Sequence, residues 1–86
     1  MTQDEAAALL AAALGEIAPE VNLGAINPDL PWQEVTDIDS IDFLTLVAAI
    51  HDRTGIQIPY LDYPKLATLN MFERYLMSAS PTKGSP

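Results

Sequence analysis

The stretch Asp37-Ile38-Asp39-Ser40-Ile41-Asp42-Phe43-Leu44 decides the fold of this chain. It sets one serine among three aspartates, and apolar residues follow it at helical spacing as far as residue 50. Asp39 is a favourable N-cap residue, and Asp42 places a carboxylate in the first helical turn, where the helix dipole favours negative charge. The sequence therefore predicts a helix that begins at Asp39 or Ser40.

Ser40 takes the first position of this predicted helix, so its hydroxyl should face solvent beside free backbone N–H groups. A helix N-terminus of this kind can accept a phosphate ester. Residues 39–42 are also typical of a capped helix start that binds nothing. On the motif alone, both interpretations stay open.

A calcium loop is excluded at the same position. Asp37 and Asp39 have the spacing of the first two calcium ligands, but Ile41 stands where the third ligand belongs. Asp42 replaces the required glycine, and Ala48 replaces the bidentate glutamate. The three aspartates therefore predict no metal site.

Catalytic chemistry by the chain's own side chains is not indicated either. The single histidine, His51, follows Ser40 by eleven residues, a rise of about 16 Å along one helix, so it cannot take the proton of that hydroxyl. There is no cysteine, hence no disulfide, thiolate metal site or thiol nucleophile. Any thiol chemistry needs a prosthetic group, and we expect no catalytic residue.

Length and composition describe one small domain. The 86 residues are 49% hydrophobic, which is enough for a modest core and too little for a large active-site cleft. No apolar run approaches the length of a membrane span, and the acidic N-terminus lacks the basic start of a signal peptide. We expect a cytoplasmic monomer.

The charge is unevenly distributed along the chain. The net charge is −8, and every Lys and Arg lies after Asp52, whereas most acidic residues lie before it. Such a first half repels nucleic acid and anionic lipid and attracts a basic protein surface. The alternative is that the acidic charge only keeps a small protein soluble. Charge alone does not separate the two.

The first helix is predicted from a capping box, Thr2-Gln3-Asp4-Glu5, with an apolar stripe that continues to Ile17. It should end at Gly15 or just before Pro19. Residues 19–38 show no period, and a loop of this length should be pinned or contain a helical turn. Trp32 is predicted to anchor it on the helices.

The second helix should cover residues 40–54 and end at Gly55. A short third helix is expected at residues 61–66 with Pro64 in its first turn, and a last helix after Thr68. The fold class is therefore all-α, a small four-helix bundle with three longer helices, a short third helix and a long loop between helices 1 and 2. We expect the domain to cover residues 1–77, with a disordered tail at 78–86.

Five short segments follow one another along the chain in a distinctive order and spacing: Asp39-Ser40-Ile41-Asp42, Leu46-Val47-Ala48-Ala49-Ile50, Gly55-Ile56-Gln57-Ile58-Pro59, Ala67-Thr68-Leu69 and Tyr75-Leu76. Together they resemble the acyl carrier proteins, from the first helix to about Leu76. The first segment is unspecific by itself. Its distance from the Gly-Ile-x-Ile-Pro segment, in a chain of this size and charge, makes the combination distinctive.

The resemblance implies that Ser40 carries 4′-phosphopantetheine, framed by Asp39, Ile41 and Asp42. A phosphopantetheinyl transferase (a holo-carrier synthase) would install this arm from coenzyme A, and its thiol would carry acyl groups as thioesters. The protein would be a non-catalytic carrier in fatty acid biosynthesis or in a specialised lipid or polyketide pathway. The family's fold, a four-helix bundle with a short third helix, agrees with the prediction above.

The resemblance also implies two further sets of residues. One set would recognise the transferase and the acyl-loading and acyl-transferring enzymes through their basic surfaces: Asp37, Asp39, Asp42, Leu44 and Asp52. The other would line a cleft that shelters a short acyl chain: Val47, Ile50, Leu66 and Phe72. Tyr60 and Tyr63 could contact partners or pack at the edge of the bundle.

The chain departs from the family's usual pattern at several positions. Asp37 replaces a glycine, Thr45 and His51 replace residues that are usually acidic in fatty-acid carriers, and Phe72 is bulky enough to narrow the cleft. These differences lead to the hypothesis of a specialised carrier with a dedicated pathway. Two alternatives remain: an aminoacyl or peptidyl carrier, and a small acidic helical interaction module that has no prosthetic group.

Overall fold

A computed structural model describes residues 1–79 of the chain. Four α-helices are present in this part: α1 (Gln3–Ile17), α2 (Trp32–Val35), α3 (Ser40–Thr54) and α4 (Leu69–Ser78). Two 3₁₀ segments, Leu23–Ala25 and Tyr60–Leu66, complete the described helices. Residues 1–79 contain no β-strand, which confirms the all-α prediction with α1, α3 and α4 as the three longer helices and Tyr60–Leu66 as the short one.

The capping box of α1 is confirmed. The Glu5 N–H donates to Thr2 Oγ1 at 3.1 Å, and the Thr2 N–H donates to Glu5 Oε1 at 2.7 Å. The helix passes Gly15 and ends at Ile17, two residues before Pro19. This is the longer of the two predicted ends, and the Ala18 N–H closes the helix by donating to the Leu14 carbonyl at 2.7 Å.

The long loop between α1 and α3 is pinned, as predicted. Trp32 is 1% exposed, and its indole N–H donates to the Leu66 carbonyl oxygen at 2.8 Å. The Trp32 backbone N–H also donates to the Ala67 carbonyl at 3.1 Å. Trp32 therefore anchors the loop on the end of the Tyr60–Leu66 segment, and the helical turn that the loop length demanded is α2.

Gly55 ends α3 in the left-handed conformation, with φ at 75°, and its N–H donates to the His51 carbonyl at 2.7 Å. A glycine adopts this conformation without the steric cost of a Cβ atom. The predicted C-terminal stop is confirmed.

The position of Pro64 was predicted wrongly. The 3₁₀ helix begins at Tyr60, so Pro64 lies beyond its first turn. The segment is short, and all of its residues except Leu66 are at least partly exposed. Water can therefore donate to the carbonyl that is left without a partner because proline has no N–H. The geometry therefore tolerates a proline that a longer buried α-helix would not.

The last helix, α4, begins after Thr68, whose hydroxyl accepts a hydrogen bond from the Met71 N–H at 3.1 Å. It ends at Ser78, the first residue of the predicted tail. The rest of that tail, residues 80–86, lies outside the described residues.

The core lies between α1, α3 and α4, and the Tyr60–Leu66 segment packs on α4. Its largest fully buried side chains come from every part of this arrangement: Trp32, Phe72, Leu10, Leu14, Leu46, Ile50, Ile56, Leu66 and Leu76. Phe72 of α4 meets the ring of Trp32 edge-on, with the centroids 6.3 Å apart. Since the loop and three helices share this core, the start of α3 is held in one place.

Candidate functional site

Ser40 is the first residue of α3, and the two aspartates beside it form a reciprocal cap. The Asp42 N–H donates to Asp39 Oδ1 at 2.8 Å, and the Asp39 N–H donates to Asp42 Oδ2 at 3.4 Å. The prediction of Asp39 as N-cap is confirmed. Both carboxylates are thus tied to the backbone on either side of Ser40.

The hydroxyl of Ser40 is available for chemistry. Ser40 is exposed, and its side chain makes no hydrogen bond to another residue of the described range 1–79. The N–H groups of the first helical turn have no acceptor within the helix. Ser40 therefore presents a free hydroxyl next to polarised N–H donors, as the sequence predicted.

The surface around Ser40 is negatively charged and uncompensated. Asp37 and Asp39 are exposed and Asp42 is half-buried. Within residues 1–79, Arg53 pairs with Glu16 on α1, Lys65 pairs with Asp62 at 3.3 Å, and Arg74 forms no ion pair. None of these cations therefore pairs with the three aspartates.

A groove of about 580 Å³ opens beside Ser40, between the start of α3, α2 and the Tyr60–Leu66 segment. This volume lies within the range of ligand pockets in proteins, about 300–1,000 Å³. Aromatic and aliphatic side chains predominate among its lining residues: Trp32, Gln33, Ser40, Phe43, Leu44, Tyr60, Leu61, Tyr63, Pro64 and Ala67.

The four residues predicted to line an acyl cleft lie elsewhere. Val47, Ile50, Leu66 and Phe72 belong to the core, with exposures between 0% and 4%, and none of them lines the groove. Their role as the lining of a cleft stays a prediction.

The residues predicted to recognise partners fall into two places. Asp37, Asp39, Asp42 and Leu44 surround Ser40, and Leu44 also lines the groove. Asp52 is exposed near the other end of α3, about 18 Å of helical rise from Ser40. The structure therefore brings four of the five together.

Exposed apolar side chains border the site, and Leu61 is the one among them that the sequence analysis did not predict. Ile41, Tyr60 and Leu61 are 72%, 77% and 85% exposed. Leu61 was missed because a single leucine in a short Pro-bounded segment has no periodic partner. Of the two tyrosines, Tyr63 packs against Phe43 at a centroid distance of 6.2 Å, whereas Tyr60 faces solvent.

The two unusual residues of α3 have separate surroundings. Thr45 is exposed, and its hydroxyl donates to the Ile41 carbonyl at 2.9 Å. His51 is half-buried, and its Nδ1 lies 2.9 Å from the Ile56 carbonyl oxygen, so it helps to hold the turn after Gly55. Neither residue adds negative charge to α3.

Comparison with known proteins identifies the same region of the chain. Residues 5–76 match the family model described as a phosphopantetheine attachment site. An acyl carrier protein of Streptomyces coelicolor is 36% identical over 76 residues, which cover 88% of this chain and 78% of that protein. An acyl carrier protein of Lactobacillus johnsonii is 42% identical over 53 residues, 62% of this chain and 66% of that protein. No solved structure matches the chain significantly.

The helices were also compared with the length and hydrophobicity of a membrane-spanning helix. Among residues 1–79, no helix has both the length and the apolar character needed to cross a membrane.

The family match covers most of this range, including the capped serine, the groove and the helices that position them. The chain belongs to the acyl carrier protein family, whose members carry acyl groups on covalently bound 4′-phosphopantetheine.

Proposed function

We propose that this protein carries acyl groups as thioesters on a 4′-phosphopantetheine arm attached to Ser40. The observation that supports this most directly is the exposed hydroxyl of Ser40 at the first position of α3, between two aspartates that cap the helix reciprocally. When bound, the arm supplies the thiol that this cysteine-free chain lacks.

The surroundings of Ser40 fit a phosphodiester at this hydroxyl. The N-terminus of a 15-residue helix favours a negative group through its free N–H donors and its dipole. The carboxylates of Asp39 and Asp42 oppose this charge, but Asp39 and Ser40 are exposed, so solvent and ions screen the repulsion. The groove next to Ser40 gives the arm an apolar surface on one side.

Attachment requires a base, and within residues 1–79 no carboxylate or imidazole accepts a hydrogen bond from the Ser40 hydroxyl. The Ser40 oxygen forms a bond to the phosphorus next to the pantetheine of coenzyme A, the phosphoanhydride bond breaks, and adenosine 3′,5′-bisphosphate leaves. His51 is eleven residues away along α3, and both neighbouring carboxylates accept backbone hydrogen bonds. We therefore assign the base to a phosphopantetheinyl transferase and regard the chain as its substrate, not as an enzyme.

Partner enzymes are expected to approach Ser40 with basic surfaces. Asp37, Asp39 and Asp42 have no cationic partner in the described part of the chain, and opposite charge steers association. Exposed Ile41 and Leu44 offer apolar contacts within the same surface. Asp52, at the far end of α3, would contribute less.

A dedicated pathway remains the preferred setting. Thr45 and His51 leave α3 less negative than is usual in fatty-acid carriers, which weakens docking on enzymes that select for a strongly acidic helix. If the holo form were elongated by general fatty-acid enzymes as fast as a fatty-acid carrier, this setting would be excluded. The cytoplasmic location and the monomeric state stay predictions.

The test is intact mass spectrometry after incubation with coenzyme A and a broad-specificity transferase. The parent should gain one phosphopantetheine, Ser40→Ala none, and Ser78→Ala, a second described serine, one. No gain on a parent that is folded by circular dichroism would favour the interaction module without an arm. A gain on Ser40→Ala would move the attachment to another hydroxyl.

A further inference from the structure

Phe43 stands between Ser40 and the core on one face of α3. Residues three, seven and ten positions after Ser40 share its side of the helix: Phe43, Val47 and Ile50. Ser40 is exposed, Phe43 is half-buried, and Val47 and Ile50 are buried. An acyl chain that entered the core along this face from the Ser40 end would have to pass the ring of Phe43.

The ring of Phe43 is held from two sides. It packs against Tyr63 of the 3₁₀ helix with centroids 6.2 Å apart, and against Phe72 of α4 with centroids 6.1 Å apart. Both contacts are edge-to-face, the arrangement that aromatic pairs prefer. The rings therefore bridge α3, α4 and the 3₁₀ helix at the place where an opening would have to form.

The elements that carry these rings are themselves fixed. The Tyr75 hydroxyl of α4 donates to the Asp62 carboxylate at 2.7 Å, one residue before Tyr63. Behind Phe72, the ring of Trp32 is fixed by its hydrogen bond to the Leu66 carbonyl. Moving Tyr63 away from Phe43 would disturb the first of these contacts, and moving Phe72 would disturb packing in a close-packed interior.

The open volume lies on the outer side of these rings. Ser40 is part of the lining of the groove, together with Phe43, Tyr63 and the exposed Tyr60 and Leu61. A group tethered to Ser40 thus meets an apolar surface without entering the core.

We propose that Phe43 and Tyr63 close the interior of the bundle to the acyl group carried on Ser40, and that the group rests in the outer groove. This rests on the proposed attachment at Ser40. The cargo that suits such a carrier is a short acyl group, since the methylenes of a long saturated chain would extend from the groove into water. Val47 and Ile50 then pack the core and do not touch the cargo.

The test loads butanoyl-, hexanoyl- or decanoyl-pantetheine from the matching acyl-coenzyme A with a broad-specificity transferase, and measures the melting temperature. Each methylene buried in a domain of this size should raise it by about 3–6 °C. In the parent we expect no such rise from hexanoyl to decanoyl. In Phe43→Ala, which opens the path, the melting temperature should rise with chain length.

Leu10→Ala is the matched control. Leu10 is fully buried, so this substitution also removes an apolar side chain from the core. Leu10 lies on α1, however, and does not line the groove beside Ser40. This variant should be less stable than the parent and, like the parent, insensitive to chain length. If it responded to chain length as Phe43→Ala does, opening at Phe43 would not be the cause and the proposal would be wrong.

A rise with chain length in the parent that equals the rise in Phe43→Ala would overturn the proposal while leaving Ser40 as the attachment site. Failure of the folded parent to accept any acyl-pantetheine would instead overturn the proposed function, and with it this inference. If Phe43→Ala does not fold, Phe43→Leu replaces it. Methyl NMR of the decanoyl parent gives an independent answer: changes at Leu61 and Leu44 support the groove, and changes at Val47 and Ile50 contradict it.

Discussion

The carboxylates of Asp39 and Asp42 each accept a hydrogen bond from the backbone N–H of the other residue, at 2.8 Å and 3.4 Å. Ser40 lies between these two residues in the chain, so the cap that starts α3 also fixes the backbone at the proposed attachment site. One pair of side chains therefore serves both helix stability and the presentation of the hydroxyl.

Substitution of the N-cap should separate these two roles. Asp39→Ala removes the acceptor for the Asp42 N–H and should lower the free energy of unfolding by about 1 kcal/mol. Asp39→Asn keeps an oxygen acceptor without the charge and should retain most of that stability. Urea unfolding of both variants measures this difference. Equal losses in the two variants would show that charge, and not the cap, provides the stability.

The rate of arm transfer should depend on charge near Ser40. Asp37→Asn removes a negative charge close to the attachment serine, whereas Asp52→Asn removes one near the other end of α3. We expect Asp37→Asn to reduce kcat/KM for a transferase with a basic surface more than Asp52→Asn does. Salt should reduce the parent's rate, because the screening length falls from about 10 Å at 0.1 M to about 3 Å at 1 M. A rate that is indifferent to salt and to Asp37 would exclude steering by this surface.

Two glycines should respond in opposite directions to alanine. Gly55→Ala forces a side chain into the left-handed conformation and should cost about 1–2 kcal/mol. Gly15→Ala lies inside α1, where an added Cβ meets nothing within 4 Å, and should stabilise the protein by about 0.5–1 kcal/mol. Thermal unfolding of the two variants provides the comparison. A stabilising Gly55→Ala would contradict the left-handed cap.

Loss of the Trp32 indole N–H should be costly. Trp32→Phe leaves the buried carbonyl of Leu66 without its donor, which costs about 1–3 kcal/mol before any loss of packing is counted. Tyr60→Phe, a change of similar type at an exposed ring, should stay within about 0.5 kcal/mol. Denaturant midpoints of the two variants test whether the loop is anchored through Trp32. Similar midpoints for Trp32→Phe and Tyr60→Phe would show that the Trp32 hydrogen bond does not anchor the loop.

The pair Tyr75–Asp62 should give the protein a distinctive alkaline transition. Burial, followed by the hydrogen bond to Asp62 and the charge of that residue, raises the pKa of Tyr75 from 10.0 to about 12. Because the folded value is the higher one, the contribution of Tyr75 to stability is fully present below pH 10. It should be lost as the pH rises from about 10 to about 12, where the unfolded state ionises first.

Ultraviolet titration can follow this transition as the ionisation of one tyrosine above the ordinary pKa of 10.0. Asp62→Asn removes the negative charge and should lower the pKa of Tyr75, although burial keeps it above its ordinary value. Tyr75→Phe should abolish the late transition. If a tyrosine with a raised pKa were still detected in Tyr75→Phe, the assignment of the raised pKa to Tyr75 would be wrong.

Local sequence was informative wherever neighbours along the chain make the contacts. The Asp39–Asp42 cap, the Thr2–Glu5 box and the Gly55 stop all involve residues at most four positions apart, so the spacing of residue types was enough to predict them. The buried stripe of α1 followed from helical periodicity for the same reason. Pro64 is the exception, because the sequence does not distinguish a 3₁₀ start at Tyr60 from a later one.

The sequence by itself therefore determined the three longer helices, the start of α3 and the exposed serine at that start. Tertiary structure alone decided what surrounds the serine. The groove and the aromatic contacts of Phe43 with Tyr63 and Phe72 join residues 20 and 29 positions apart, so no local period reports them. They arise because Trp32 ties the loop to the 3₁₀ helix, and close packing of the shared core then places the rings beside Ser40.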